Sequence, residues 1–389
     1  MIRVFLFVPY YLPGYKAGGP IRTIANMVER LEGQVKFYII TSDRDLGDVY
    51  PYQNVETDRW VKVGYADVYY TSSKMRLFFR LPALTRAISY DILYLNSFFN
   101  PGFAISPLIA RFLRLLPPRP AIIAPRGQFS DGAIKLSRNK KRLYVFLSDW
   151  LRLCHGMYWQ ASSFFEAQDI VGMIRKVALD DVFIAPDIPS KIPAIQAGSL
   201  VAKSDDQPLR VCFLSRISPM KNLDFSLQVL QKVRVPIHFD IYGPIEDPAY
   251  WARCEDLICN LNPFIRAHYC GYVEHAQVPM IFAQYDLFFF PTRGENYGHV
   301  ILESMIAGTP VLLSNTTPWR DLQTAGVGWD LPLDDHDPFV HALEEAAIRV
   351  KWDYEWRDRV HAYAERISSD MDVLKANVDM FRKVLQDHF

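Results

Sequence analysis

The feature that most limits what this chain can fold into is a rhythm. Short apolar runs rich in Val, Ile, Leu and Phe alternate with longer stretches whose apolar residues recur at helical spacing. In the first half, strands are expected at residues 3–8, 35–40, 91–95, 121–124 and 182–185. Helices are expected to begin near Pro20, Pro101, Asn139 and Phe164. Strands buried on both faces read as continuous apolar runs, and parallel neighbours need a helical crossover between them. The pattern therefore predicts βαβ units on a parallel sheet.

The rhythm pauses over residues 186–208 (PDIPSKIPAIQAGSLVAKSDDQP), which reads as an interdomain linker, and restarts at Leu209. Further strands are expected at 210–215, 237–242, 267–271, 286–291 and 310–314. Helices are expected at 223–233, 250–261, 276–284 and 298–307, then from Pro338, Glu355 and Asp372 onward. A chain of 389 residues also exceeds the roughly 250–300 at which single cores stop growing. The expectation is an α/β protein of two doubly wound, Rossmann-like domains. Residues 1–187 form the first, 188–208 the linker and 209–389 the second, with the last helix packing back on the first domain. Open parallel sheets bind ligands at the carboxyl ends of their strands, so an interdomain cleft is the expected site.

Charge narrows the partners. The net charge is zero, which does not indicate a whole-surface field for nucleic acid. The distribution is uneven: residues 1–187 hold 24 Lys and Arg against 16 Asp and Glu, and the remainder holds 19 against 27. The five cysteines form no CxxC pair, so reduced thiols are expected rather than a zinc site or disulfides. The apolar start, MIRVFLFVPYYLPGY, reads as a buried first strand rather than a leader. No apolar run reaches the ~18 residues of a membrane span, and a cytoplasmic, peripheral location is expected.

The sharpest motif is PTRGENYGHVILESMIAGTPVLLS, residues 291–314. A buried strand leads into a loop with Gly294 and Gly298, then a helix. Such a junction presents free N–H groups and a positive dipole end to a phosphate or hydroxyl. Glu295 and Glu303 can reach one ligand from different sides, and ionised carboxylates accept hydrogen bonds from sugar and ribose hydroxyls. In CFLSRISPMKN, residues 212–222, Arg216 and Lys221 leave a strand together, as suits a diphosphate. In AGGPIRT, residues 17–23, Gly18 and Gly19 precede Pro20 at a helix start. The absence of GxGxxG counts against a nicotinamide cofactor.

These segments resemble glycosyltransferase family 4, whose members are retaining enzymes of the GT-B fold. The Glu-x7-Glu spacing carries the resemblance most specifically. It implies that Glu295 contacts the transferred sugar and Glu303 the nucleotide ribose. Asn296 stands where the family has Gly, and Asn is among the few other residues that tolerate a positive φ, so the turn can survive. Arg216 and Lys221 would hold the donor diphosphate, with Ser215 in place of the common Gly. The Gly18–Gly19 loop would touch donor phosphate or acceptor. Asn296, Tyr297, Gly298 and Tyr272 complete the expected donor-side set. APRGQFSDGAIK, residues 124–135, is similar to a Pro-Arg-Gly segment in a branch that builds bacterial surface polysaccharides, and places Arg126 near acceptor or sugar. Gln160 stands where a His is common, and Glu166 matches a common Glu.

The resemblance implies transfer from a nucleotide-sugar to a glycan or lipid-linked acceptor, with configuration retained and no metal or other cofactor. Asp43-Arg44-Asp45 matches a metal-binding pattern of a different architecture and reads as a loop charge cluster. His155 and His275 read as lone structural residues. A nucleotide-sugar epimerase of the same architecture, or a non-catalytic nucleotide-sugar-binding partner, would share much of this pattern. The basic run at 135–153 argues for an acceptor side. Lys135, Arg138, Lys140, Lys141 and Arg142 head it, and Leu143, Val145, Phe146, Leu147, Trp150 and Leu151 follow at near-helical spacing. Such a helix can lie on an anionic membrane or pack its apolar face inward.

Overall fold

The computed structural model describes residues 1–130, 134, 138–191 and 207–387. Most of the expected linker, at 192–206, and Lys135 lie outside the described residues, as does the side chain of Arg138. The chain divides into two compact units, Met1–Ser190 with Asp370–Phe389, and Lys191–Ser369.

The first unit is built on β1 (Ile2–Phe7), β2 (Val35–Ser42), β3 (Trp60–Val63), β4 (Ala66–Thr71), β5 (Ile92–Leu95), β6 (Ala121–Ile123), β7 (Tyr158–Ala161) and β8 (Val182–Ile184). Their order is β3-β4-β2-β1-β5-β6-β7-β8. Every pair is parallel except β3 with β4, an edge hairpin. The sequence rhythm did not show β3, β4 or β7. WVKVGYADVYYT mixes charges into its apolar run, because β3 is an edge strand with partly exposed residues.

The helices of this unit are α1 (Gly19–Arg30), α2 (Lys74–Ala87), α3 (Ser106–Phe112), α4 (Arg138–Trp150) and α5 (Phe164–Met173). On one face of the sheet, Leu77, Leu81, Leu108, Val145, Ala167 and Ile170 share a core with Phe5, Phe7 and Trp159. On the other, Ile24, Met27 and Val28 of α1 pack with Val378, Phe381 and Val384 of the chain's last helix, Met371–Gln386. Each such fully buried side chain contributes about 1.5–3 kcal/mol.

The second unit holds β9 (Leu209–Leu214), β10 (Ile237–Tyr242), β11 (Ile265–Gly271), β12 (Leu287–Phe290), β13 (Val311–Ser314) and β14 (Gly328–Leu331). The sheet is parallel throughout, in the order β11-β10-β9-β12-β13-β14. Its helices are α6 (Leu223–Leu230), α7 (Pro248–Cys259), α8 (Val278–Phe282), α9 (His299–Ile306), α10 (Asp337–Arg349) and α11 (Trp356–Ser368). The helix expected at 276–284 is shorter, because residues 275–277 form a 3-10 turn before Pro279 enters the first turn of α8. Phe288, Phe289 and Phe290 of β12 are fully buried, as a strand sandwiched between two helical layers requires.

Candidate active site in the second unit

The chain runs outward from β9 through β10 to β11, then returns to place β12 on the other side of β9. The reversal between β9 and β12 is a topological switch point, where the two following loops diverge and leave a crevice. Those loops carry the candidate residues: Arg216 and Lys221 after β9, and Glu295, Asn296, Tyr297 and Gly298 after β12. The loops are laced together. The Arg293 amide donates to the Met220 carbonyl at 2.9 Å, and Asn222 Nδ2 donates to the Pro291 carbonyl at 2.9 Å. Arg293 Nε donates to Asn222 Oδ1 at 2.9 Å. Asn222 is buried with φ of 63°, a conformation that Asn tolerates better than most residues. Sequence reasoning missed Asn222; its place directly before the α6 stretch was the available signal.

This lacing brings Lys221 Nζ against the Glu295 carboxylate. Their side chains are only 13% and 14% exposed. Thr292 Oγ1 lies 3.5 Å from the same carboxylate oxygen, and Lys221 Nζ sits 5.6 Å from the centroid of the Phe290 ring. Arg216 leaves the same loop but pairs with Glu246, at 2.7 Å and with both side chains about a third exposed or more. Gly243, with φ of 134°, lets the turn after β10 approach this loop. A Cβ there would lie 1.8 Å from the Ser215 carbonyl oxygen.

Glu303 lies within α9, and its Oε1 is 2.9 Å from His275 Nε2. His275 is thus not the lone structural residue expected, and no local spacing announces the contact, since the two residues belong to separate elements. Gly298 precedes α9 with φ of 79°, and no side chain caps that helix start. Asn296 does not adopt a positive φ. Among the described residues of this loop that conformation falls on Gly298, and the turn therefore does not depend on Asn296. Trp319 Nε1 donates to the Tyr297 carbonyl at 2.6 Å and fixes the chain just ahead of the helix. Tyr272 follows β11 and is exposed.

The remaining candidates lie in the first unit. Gly18 has φ of 65° at the start of α1, and neither Gly18 nor Gly19 has a neighbouring atom within 4 Å of a would-be Cβ. Arg126 is buried and ion-paired with Asp187, the side chains being 6% and 3% exposed. It also donates to Asn96 Oδ1 at 2.7 Å and to the Tyr94 hydroxyl at 2.6 Å. Burial works against its charge, but Asp187, Tyr94 and Glu166 outweigh burial and hold the guanidinium above its ordinary value. Gln160 accepts from Tyr94 and donates to the Ala185 carbonyl at 2.9 Å. Glu166 accepts from the Gly127 amide at 2.6 Å. Together these side chains tie the ends of β5, β6, β7 and β8. Asp43 pairs with Arg44, and Asp45 accepts the Tyr15, Lys16 and Leu46 amides, so both serve the local loop.

Helix α4 corrects part of the reading of the basic run. Val145 is buried in the core rather than on the surface, and Lys141 Nζ sits 5.2 Å over the Phe99 ring. Leu143, Phe146, Leu147, Trp150 and Leu151 point outward, with Trp150 72% exposed. The apolar stripe is not the face that packs inward. Among the described residues no helix is long and apolar enough to cross a membrane.

Residues 201–366 match the family model for glycosyl transferases group 1. The O-antigen chain mannosyltransferase B of Escherichia coli is 29% identical over 152 residues, covering 38% of each chain. Among solved structures, sucrose-phosphate synthase from Thermosynechococcus elongatus aligns with a TM-score of 0.72 at 15% identity, covering all of both chains. Anabaena HepE, solved with UDP-glucose, aligns at 0.67 with 14% identity over all of both chains. The structural likeness supplies the fold, and the family match spans the loops that meet at the switch point. On both grounds the chain is a glycosyltransferase of the GT-B fold.

Proposed function

We propose that the chain is a retaining hexosyltransferase. It moves a sugar from a nucleotide-sugar to a glycan or lipid-linked acceptor during assembly of a bacterial surface polysaccharide. The observation that carries the donor side is the pairing of Lys221 with Glu295 at the switch point of the second unit, with Glu303 on the helix that follows. The O-antigen mannosyltransferase and the neighbour solved with UDP-glucose support a nucleotide-sugar donor and a polysaccharide product.

In this reading Glu295 accepts hydroxyls of the transferred sugar and Glu303 those of the ribose. Lys221 and Arg216 exchange their carboxylate partners for the donor diphosphate. With the N-terminus of α9, next to Asn296, Tyr297 and Gly298, they stabilise the charge that grows on the leaving group. These fixed charges take the place of a metal ion. The departing phosphate helps deprotonate an acceptor arriving on the same face, so configuration is retained without a carboxylate nucleophile. Tyr272 and the Gly18–Gly19 loop are donor contacts. Arg126, each of whose three side-chain nitrogens donates to a protein group, acts as a positioning residue for the strand ends around it.

The test is incubation of purified protein with a panel of nucleotide-sugars, with and without a lipid-linked acceptor, and analysis of the product anomer by NMR. Acceptor-dependent transfer with the donor's configuration supports the proposal. An inverted product, or epimerised donor without transfer, overturns it.

The outward stripe of α4 supports a place for the enzyme on a membrane surface. Lys140 and Arg142 are exposed at its start and Phe146 and Trp150 are exposed farther along, a combination suited to anionic headgroups above an apolar interface.

A further inference from the structure

His275 lies in the 3-10 turn that follows β11, and Glu303 lies in α9. Their side chains meet at 2.9 Å and are 39% and 15% exposed. A carboxylate only accepts, so the facing imidazole nitrogen carries the proton. We propose that His275 is a positioning residue for recognition of the donor ribose, which rests on the assignment of Glu303 made above. A glutamate has three rotatable bonds. A second group that holds its carboxylate removes rotamer freedom before the ligand arrives, so less is lost on binding. The imidazole comes from the loop carrying Tyr272, and the carboxylate from the helix whose N-terminus faces the switch point. One hydrogen bond thus joins the two elements that would grip the nucleoside.

The effect belongs to ribose hydroxyls and not to chemistry at the sugar. His275→Ala therefore weakens ribonucleotide binding by roughly 3- to 10-fold, the range expected for releasing one ordered side chain. It leaves kcat at saturating donor within about twofold. His275→Gln places an amide N–H near the lost ring nitrogen and restores most of the affinity.

The experiment is calorimetric titration of UDP or GDP, whichever the wild type binds more tightly, and of its 2′-deoxy and 3′-deoxy forms. The proteins are wild type, His275→Ala, His275→Gln and Glu303→Ala. The expected result is a smaller ribose-over-deoxyribose preference in His275→Ala, with deoxynucleotide affinity nearly unchanged as the sign of a folded site, and recovery in His275→Gln. If Glu303→Ala loses the preference while His275→Ala keeps it, the role of His275 is overturned and the ribose assignment stands. If Glu303→Ala keeps the preference, the ribose assignment fails and the proposal falls with it.

Discussion

Lys221 and Glu295, 74 residues apart in sequence, form an ion pair between the loops that follow two adjacent parallel strands. Neither side chain is more than 14% exposed. A pair this sheltered is sensitive to loss of either member, because the survivor is left as an uncompensated charge. Each member of the pair thus compensates the other's buried charge.

Removing a cation tests the leaving-group role. Lys221→Ala and Arg216→Ala should lower kcat by about 100-fold or more while weakening donor binding less than about 10-fold, since the diphosphate charge grows in the transition state. Single-turnover kinetics beside donor calorimetry checks this. Equal losses in both would leave these residues holding only the ground state.

Glu303→Ala should weaken nucleotide binding by about 1–3 kcal/mol, the magnitude for a hydrogen bond to a charged group. Calorimetry with the free nucleotide reads the effect directly. Unchanged affinity would remove Glu303 from the donor site.

If, as proposed, fixed cations and a helix N-terminus provide the compensating charge, transfer should survive EDTA at unchanged rate. Loss of activity restored by Mg²⁺ or Mn²⁺ would show that a metal is required.

Liposome flotation tests α4. Wild type should float with anionic vesicles, and Lys140→Glu/Arg142→Glu or Phe146→Ser/Trp150→Ser should not, each cation contributing about 1 kcal/mol. The variants should keep donor hydrolysis and lose transfer to a lipid-linked acceptor. Equal flotation of all three proteins would rule out docking through this helix.

Gly243→Ala should destabilise the protein by roughly 3 kcal/mol, read by thermal unfolding, because a Cβ at this backbone angle collides with a carbonyl. The colliding atom is the Ser215 oxygen, next to Arg216. Donor turnover should fall in any fraction that stays folded. Wild-type stability would mean that the two loops do not touch.

The alternation of apolar runs with helical stretches was enough to predict two parallel-sheet units, because burying both faces of a strand demands a continuous apolar run. The motif at 291–314 likewise announced a strand, a loop and a helix, as β12 and α9 show. Other features were not legible. The helical period in 138–150 defines an apolar stripe, yet a period has no direction. Only packing against Phe98 and Trp159 decided that Tyr144 and Val145 turn inward and Trp150 outward. Arg126 and Asp187 are 61 residues apart, and their burial together depends on the neighbouring ends of β6, β7 and β8. Likewise, His275 and Glu303 each looked solitary or partnered only by a ligand. The amino-acid sequence set the residue types and their local elements, because periodicity and turn chemistry act over a few residues. Which charges meet was decided by strand order, a property of the folded sheet that no local spacing encodes.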